Sequence, residues 1–207
     1  GDFLTLGFDQ LLQQASKIPE MYGKNVDLPY IIRTPMGGRR GYGPTHSQNI
    51  EKHFLFLPNI DIIALNSVVS PYAVYTNISK HNRKTTVVIE DKIGYTKFLN
   101  SYNTRGYEVK ITDEVFPTLI FEPAGIKANC TFFVYGGMLD ETLEALDQLL
   151  AEEVFPRIIC PLRICPLNIQ PLIDSLKTAG KLYFIEEGTK YGALSAEVIA
   201  SLKEQDI

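Results

Sequence analysis

A histidine that follows a glycine-rich loop is the residue of this sequence best suited to chemistry. The loop carries four glycines within the seven residues 37–43, and His46 comes shortly after it. A loop with so few side chains lets its backbone approach a ligand closely. Near neutral pH an imidazole can donate a proton to a developing oxyanion or hydrogen-bond it. His46 is therefore our candidate catalytic residue, and the alternative is a histidine that only satisfies its own loop.

The segments on either side of the loop predict where His46 lies. The apolar run Tyr30 to Ile32 indicates a buried strand, and the amphipathic segment from Ser47 to Leu57 indicates a helix with Ser47 as its N-cap. In α/β sheets, ligands bind at the carboxyl ends of the strands. A strand–loop–helix unit of this kind places His46 at the mouth of a binding site.

Strand and helix patterns alternate along most of the chain, which predicts parallel sheets with right-handed crossovers. The fold class is therefore α/β, with two α/β domains that each have a mainly parallel sheet flanked by helices. Further strands are predicted at 61–65, 85–89, 131–135, 157–162 and 181–185, and helices at 3–18, 71–80, 139–151, 166–177 and 191–203.

The alternation is interrupted between residues 91 and 127, where glycines, prolines and polar runs are frequent. We predict an extended arm there, with a short edge strand at 118–121. The predicted domains are residues 1–112 and 128–207, joined by a linker at 113–127.

Composition excludes several classes of function. The 207 residues are 45% hydrophobic and carry a net charge of -4, with lysine and arginine scattered, so no nucleic-acid surface is expected. No apolar run is long enough to span a bilayer, and we expect no membrane partner. The three cysteines, Cys130, Cys160 and Cys165, have no framework spacing. They are expected to be structural thiols of a cytoplasmic protein.

The amino-acid sequence around the loop is specific enough to indicate a family. Arg33-Thr34-Pro35 precedes the glycines, His46-Ser47-Gln48 follows them, and Pro58 comes before the strand at 61–65. This text resembles the beta subunit of the thiamine-diphosphate-dependent decarboxylating component of 2-oxo acid dehydrogenases, in the transketolase superfamily. Other segments that share the resemblance are Asp2-Phe3, Phe8-Asp9-Gln10, Pro161-Leu162-Arg163 with Pro166-Leu167, Glu186-Glu187-Gly188, Tyr191-Gly192 and Ala196-Glu197.

The resemblance implies a transketolase pyrimidine-binding domain at 1–112 and a transketolase C-terminal domain at 128–207. It implies thiamine diphosphate as cofactor, with its diphosphate and Mg²⁺ held by a partner domain outside this chain. The family's Gly-Asp-Gly metal motif is not found, since Gly1-Asp2 is followed by Phe3. The glutamate that activates the cofactor would precede residue 1, so we expect a piece of a longer enzyme, cut at both ends and inactive alone.

Residue roles follow from the same resemblance. Phe3 matches the aromatic that stacks on the aminopyrimidine ring, although a core phenylalanine is the alternative. His46 matches the family's active-site histidine. Some members also bind a monovalent cation through backbone carbonyls, and the matching positions here are Ile32, Ser79, Asn82 and Lys84.

The implied activity is decarboxylation of a 2-oxo acid with acyl transfer to a lipoyl carrier. The implied partners are an alpha-type subunit or domain, a lipoyl acyltransferase and a second copy of the chain. Phe56 and Asn59 depart from the family text, so the 2-oxo acid is left open. One alternative is a transketolase or deoxyxylulose-phosphate synthase, which needs cations for a sugar phosphate; Arg39, Arg40 and Arg163 are the candidates. Another is a non-catalytic dimerisation module.

Overall fold

Two β-sheets with helices against them make up the mixed α/β fold, as the sequence predicted. The computed structural model describes residues 1–22, 26–99 and 106–207. The strands are β1 Ile31–Met36, β2 Ile60–Ala64, β3 Thr85–Asp91, β4 Tyr107–Ile111, β5 Thr118–Pro123, β6 Cys130–Val134, β7 Pro156–Pro161, β8 Arg163–Cys165 and β9 Leu182–Ile185. The α-helices are α1 Ile18–Met21, α2 Pro71–His81, α3 Met138–Glu144, α4 Leu146–Ala151, α5 Gln170–Ala179 and α6 Leu194–Lys203.

The first sheet has the order β1–β3–β2–β8, with β1, β3 and β2 parallel and β8 antiparallel to β2. Every residue of β2 and all but the last residue of β3 are buried, as expected for strands covered on both faces. Helix α2 covers one face, because Val74 and Ile78 pack with Ile63 and Val88. Pro71 starts this helix, where its missing N–H costs nothing.

The second sheet has the order β4–β5–β7–β6–β9. Strands β7, β6 and β9 are parallel, whereas β4, β5 and β7 pair antiparallel. The two sheets share one apolar core, in which Met36 and Ile62 of the first belong to the same cluster as Phe133 and Ile159 of the second. The carboxyl ends of the parallel strands in both sheets are therefore held in a fixed relation.

The predicted arm contains two strands that belong to the second sheet. β5 lies between β4 and β7 and is not an edge strand, because Leu119 and Phe121 alternate along it and are fully buried. Their neighbour Glu122 forms an ion pair with Arg157 of β7, with Nη2 2.6 Å from Oε1. Pro117 lies between β4 and β5, Pro123 ends β5, and Gly125 lies in the turn that follows β5. Where the two domains divide stays a prediction.

The predicted helix from Ser47 to Leu57 is wrong. The backbone makes only a 3-10 turn at Glu51–His53, and Ser47 ends the preceding turn with φ −123° instead of capping a helix. Hydrogen bonds join His53 to Ile50 and Leu57 to Phe54, each three residues apart. Buried residues three or four apart satisfy a chain of tight turns as well as a helix, so periodicity alone does not separate the two.

The predicted helix at 3–18 is also divided. Asp2–Gly7 is a 3-10 helix, Gln10–Ala15 is π-helical, and α1 follows. The predicted helix at 139–151 is realised as α3 and α4, which meet at Ala145. In the ranges that the structure describes, no helix has the length and apolarity needed to cross a membrane.

Glu90 is a buried carboxylate near the end of β3 that gathers three donors. Arg33 of β1 binds it with both Nε, at 2.9 Å, and Nη2, at 3.2 Å. The hydroxyls of Tyr75 and Tyr95 also donate to it. Burial by itself would raise the pKa of Glu90, but these three partners outweigh it and lower the pKa. The charged carboxylate is therefore the form that the fold stabilises.

Replacing Glu90 by glutamine should lower the free energy of unfolding by about 2 kcal/mol at neutral pH, because a buried charged acceptor is lost. A lowered pKa means that the stabilisation is present above the ordinary glutamate pKa and is lost as pH falls through the lowered value. Urea unfolding at neutral pH and at about pH 3 measures the difference, which should shrink in acid. The exposed Glu108 of β4 gives the control variant, Glu108→Gln. A deficit of equal size at both pH values would contradict the argument.

Candidate functional site

The glycine loop leaves the first sheet at its carboxyl edge. β1 ends at Met36, whose carbonyl accepts a hydrogen bond of 3.0 Å from the amide of Lys92, the residue after β3. The loop returns to the same edge, because the amide of Gly37 donates to the carbonyl of Gln48 at 3.2 Å. His46 is the last residue of the 3-10 turn Pro44–His46 on this loop. It therefore lies at the edge where α/β sheets bind ligands, as predicted.

Phe3 and His46 are neighbours in the structure. Their ring centroids are 5.8 Å apart with the planes tilted by 50°. Phe3 is 71% exposed, which excludes the alternative of a core phenylalanine, and the His46 side chain is 46% exposed. The N-terminal turn brings them together because Gly1 lies against β1, where a Cβ on Gly1 would be 2.5 Å from the Pro35 carbonyl oxygen. Two open rings thus stand side by side at the sheet edge.

Asp2 and Lys92 complete this cluster. Oδ2 of Asp2 is 3.2 Å from Nδ1 of His46 and 3.7 Å from Nζ of Lys92. The Lys92 ammonium also donates to the carbonyl oxygen of His46. Burial would raise the pKa of Asp2, but the hydrogen bond with His46 and the charge of Lys92 lower it. The carboxylate is therefore charged, and it fixes the orientation of the imidazole through Nδ1.

This arrangement leaves Nε2 of His46 as the nitrogen that can face a reactant. Among the described residues, none hydrogen-bonds to Nε2, and Oδ1 of Asp2 is buried without a partner. An imidazole with Nδ1–H directed at a carboxylate presents Nε2 as a base, or as an acid once protonated. Sequence reasoning missed Asp2 and Lys92 as participants. Their signals are the position of Asp2 beside Phe3 and of Lys92 directly after a strand of the ligand edge.

Glutamates of the second sheet hold the glycine loop. The amide of Gly38 donates to Oε1 of Glu187 at 2.9 Å, and Nε of Arg39 is 3.9 Å from the same oxygen. Arg39 also pairs with Glu141 of α3. Nη2 of Arg40 donates to the Lys92 carbonyl at 2.9 Å. The segment that carries His46 is thus anchored to both sheets.

The four positions predicted for a monovalent cation lie at the opposite edge of the first sheet. Ile32 pairs with Val87 near the start of β1, and Asn82 and Lys84 precede β3. Oδ1 of Asn82 accepts a hydrogen bond of 3.1 Å from the Lys84 amide. Ser79 lies in the last turns of α2 and donates to the Thr76 carbonyl. The cation site stays a prediction, and it is separate from the His46 cluster.

Comparison with known proteins finds a family match for part of the chain and similar folds among solved structures. Residues 126–207 match the family described as Transketolase, C-terminal domain. The chain is also similar to a split-gene transketolase in an inactive beta4 tetramer, with a TM-score of 0.61 and 15% identity over 92% of this chain and 60% of that one. A transketolase variant from Pichia stipitis gives a TM-score of 0.58 at 13% identity, over 92% and 26% of the two chains. The fold is transketolase-like.

Curated proteins similar to this chain include beta subunits of 2-oxo acid dehydrogenases. The beta subunit of the pyruvate dehydrogenase E1 component from Gracilaria tenuistipitata var. liui is 27% identical over 98% of this chain and 60% of its own length. The 2-oxoisovalerate dehydrogenase subunit beta of Bacillus subtilis (strain 168) is 25% identical over the same shares. The predicted resemblance to beta subunits of 2-oxo acid dehydrogenases is confirmed. The chain spans about 60% of the length of these relatives.

Gly137 provides a test of how closely the two sheets meet at this edge. A Cβ on Gly137 would lie 2.5 Å from Cγ of Asp91, which ends β3. Gly137 has φ −67°, so a side chain there is excluded by space and not by backbone conformation. Asp91 has little freedom to move, because its carboxylate accepts from the Gly94 amide at 3.0 Å.

Gly137→Ala should therefore lower the free energy of unfolding by about 1–3 kcal/mol, as overpacking does in a close-packed interior. Gly7→Ala is the matched control, since no atom lies within 4 Å of its added Cβ. Chemical denaturation of the two variants beside the parent chain gives both values. Equal stability of Gly137→Ala and Gly7→Ala would show that the two sheets are further apart than described.

Proposed function

We propose that this chain is part of a thiamine-diphosphate-dependent 2-oxo acid dehydrogenase and contributes the aminopyrimidine side of the cofactor site. The observation that carries the proposal is the exposed ring of Phe3 beside His46 at the carboxyl edge of the first sheet. The relatives support the reaction class, because their names are those of beta subunits of pyruvate and 2-oxoisovalerate dehydrogenases.

The residues present fit the cofactor's heterocycle. An aromatic ring that is largely exposed offers a face on which a planar ring can stack. The buried and unpartnered Oδ1 of Asp2 lies in the same cluster and can accept a further hydrogen bond. When bound, thiamine diphosphate supplies the nucleophilic carbon and the electron sink for decarboxylation. Phe3 would hold the aminopyrimidine end.

His46 would handle the substrate proton. Asp2 fixes Nδ1 and leaves Nε2 to hydrogen-bond the oxygen of the 2-oxo group, or to donate a proton to it as negative charge develops. Lys92 restrains the backbone carbonyl of His46, so the ring is presented from a fixed point. Asp2 and Lys92 would thus orient His46, and His46 would transfer a proton through Nε2.

The rest of the site would come from a partner. We propose that an alpha-type subunit or domain holds the diphosphate and Mg²⁺, as the family resemblance implies. The names of the relatives support a divided enzyme, since each is a subunit beta. A lipoyl acyltransferase as acyl acceptor and a homo-oligomeric contact beside the site belong to the same proposal.

We propose a 2-oxo acid as the substrate and leave open which one. The relatives include enzymes named for pyruvate and 2-oxoisovalerate, and an acetoin:2,6-dichlorophenolindophenol oxidoreductase subunit beta from Cupriavidus necator that is 23% identical. One relative, from Arabidopsis thaliana, is named as chloroplastic. The cytoplasm therefore stays a prediction for this chain.

The arginines that a sugar-phosphate transferase would need are engaged elsewhere. Arg39 faces Glu141, Asp91 and Glu187. Arg40 donates to the Lys92 carbonyl, and Arg163 lies 5.9 Å from the ring of Phe116. A phosphate clamp requires guanidinium groups that point together into a pocket. This geometry favours the dehydrogenase over a transketolase or deoxyxylulose-phosphate synthase.

Calorimetry tests the divided site. Titration of thiamine diphosphate with Mg²⁺ into the chain alone should give no tight binding, whereas the chain mixed with a cognate alpha subunit should bind. In the mixture, Phe3→Ala should weaken binding by about threefold to tenfold through loss of ring stacking. Leu6→Ala is the matched control, because Leu6 lies on the same turn and is 85% exposed. Tight binding by the chain alone would contradict the proposal, and it would equally count against a non-catalytic module.

His46→Ala should lower the rate of acyl transfer by roughly 100-fold or more, as expected for a lost general acid–base group. The rate is measured on the assembled enzyme with 2-oxo acids as substrates. His53→Ala is the control, since His53 is exposed on the next turn of the same segment and should leave the rate unchanged. A His46→Ala enzyme with the parent rate would remove His46 from the mechanism while leaving the cofactor test intact.

A further inference from the structure

Three side chains, two of them buried and one half-buried, join the segment after the glycine loop to the last helix. The hydroxyl of Tyr135, directly after β6, is 2.9 Å from Oε1 of Glu51 and 3.3 Å from Oε2 of Glu186. Glu51 is 4% exposed and Tyr135 is 8% exposed. Neither the fold nor the proposed reaction accounts for two carboxyl groups that share one buried phenol.

The number of protons limits how this group can be charged. A phenol has one O–H and can donate it fully to one carboxyl oxygen. If both glutamates were ionised, the second contact would bring a lone pair of the phenol against a carboxylate in a medium of low dielectric. Both contacts are hydrogen bonds when one glutamate carries a proton and donates it to the phenol oxygen.

Glu186 is the member that has backbone amides of a helix start as donors. Its two carboxylate oxygens accept the amides of Leu194, at 3.0 Å, and Ser195, at 2.9 Å, in the first turn of α6. Hydrogen bonds from backbone amides at a helix start favour an ionised carboxylate.

Glu51 has weaker support, because the backbone amide that favours its charge is its own. Among the described residues, Tyr135 is its only side-chain partner, and Oε2 of Glu51 is buried without a partner. Glu51 lines a cavity of about 30 Å³ that Asn49 also lines, and Nδ2 of Asn49 is buried and unpartnered too. Because Glu51 is only 4% exposed, bulk solvent adds little to the solvation of a charge there.

We propose that Glu51 is the neutral acid in the folded chain, and that its proton completes a hydrogen-bond chain from Glu51 through Tyr135 to Glu186. These hydrogen bonds join the segment that follows His46 to the first turn of α6, and we refer to the three linked side chains as the latch. Loss of the proton leaves a buried charge and breaks the latch, so the device responds to pH. The inference does not depend on the proposed reaction.

The charges around Glu51 also favour its neutral form. Asp91 at the end of β3 and Glu187 after β9 line the same cavity, and Arg39 lies 3.9 Å from each of them. Lys52 is the cation on the turn of Glu51 itself, but its ammonium is held by Thr189, 2.9 Å from the carbonyl oxygen. Burial raises the pKa of Glu51, with its own backbone amide, Tyr135 and Lys52 opposing. The carboxylates in this region therefore outnumber the cations that face them.

The sign of the pH effect follows from proton linkage. A glutamate whose pKa is raised by folding binds a proton that the unfolded chain has already released. Its contribution to stability is complete below the ordinary glutamate pKa and is lost as pH rises towards the raised value. Glu90 contributes in the opposite sense in acid, so the two effects are separable by variant.

The test compares stability against pH for the parent chain and Glu51→Gln. A glutamine keeps the neutral state, with an amide that can donate to Tyr135 at every pH. We expect the two chains to be similarly stable in mild acid. At about pH 8 the unfolding equilibrium constant of Glu51→Gln should be roughly five- to tenfold smaller than that of the parent chain, because no buried charge forms. Parallel curves over the whole range would overturn the proposal.

Glu186→Gln is the control, since Glu186 is the charged member of the chain. That variant should be less stable than the parent because the amides of Leu194 and Ser195 lose a carboxylate acceptor, while it keeps the fall in stability between mild acid and pH 8. Carbon-13 NMR of the glutamate carboxyls in the parent chain gives a second measurement if a variant does not fold. A Glu51 signal that titrates at or below the ordinary glutamate pKa would overturn the proposal by itself.

Discussion

The site depends on what the carboxyl end of β3 holds in place. Three consecutive charged residues stand here, Glu90 and Asp91 at the end of the strand and Lys92 directly after it, and each anchors a different part of the edge. Glu90 binds Arg33, Tyr75 and Tyr95, Asp91 accepts the Gly94 amide and faces Arg39, and Lys92 reaches Asp2 and the His46 carbonyl. The rest of the strand is buried between β1 and β2, which fixes where these three side chains can reach. A rigid strand therefore positions a loop that has few contacts of its own.

The second sheet performs the matching task from the other side. Glu186 and Glu187 follow β9, and they reach in two directions. Glu187 accepts the Gly38 amide of the glycine loop, whereas Glu186 accepts the first amides of α6 and contacts Tyr135. Because these residues follow the end of a parallel strand, they face the carboxyl edge of the first sheet. A shared apolar core holds the two edges together, and the polar contacts at their junction then set the path of the loop.

Sequence was sufficient for the elements whose burial leaves only one choice. The β-branched runs of β2 and β3 and the apolar run of β6 were predicted within a few residues, since strands covered on both faces are uniformly apolar. Helix α2 was predicted with Pro71 near its start, and the prediction for α6 began three residues before the observed start at Leu194. β5 was predicted only as a short edge strand, because its alternation at Leu119 and Phe121 lies among glycines and prolines that suggest a loop.

The candidate site was predictable in part. Phe3 and His46 were predicted from a family resemblance, and the structure brings them within ring contact across 43 positions of sequence. Asp2 and Lys92 carried only positional signals, beside Phe3 and directly after β3. A charged residue does not otherwise show in the sequence whether it faces solvent or a buried partner, and Glu51 carried no such signal. Glu51 in particular falls in a segment whose helical spacing would have placed it on an amphipathic surface, whereas tight turns direct it inward.

The Asp2–His46 contact has two possible origins, a structural contact that holds the loop and a binding site. A histidine that only satisfies its loop should bond to that loop, yet its ring nitrogen meets the N-terminal turn, and the loop is closed by Gln48 instead. A structural aromatic pair should also bury its surface, yet Phe3 stays largely exposed beside a half-exposed imidazole. A planar heterocycle matches both the exposed ring face of Phe3 and the ring nitrogen of His46 that Asp2 leaves open. The geometry thus favours a binding site over a purely structural contact, because the two rings touch and most of the Phe3 surface still stays exposed.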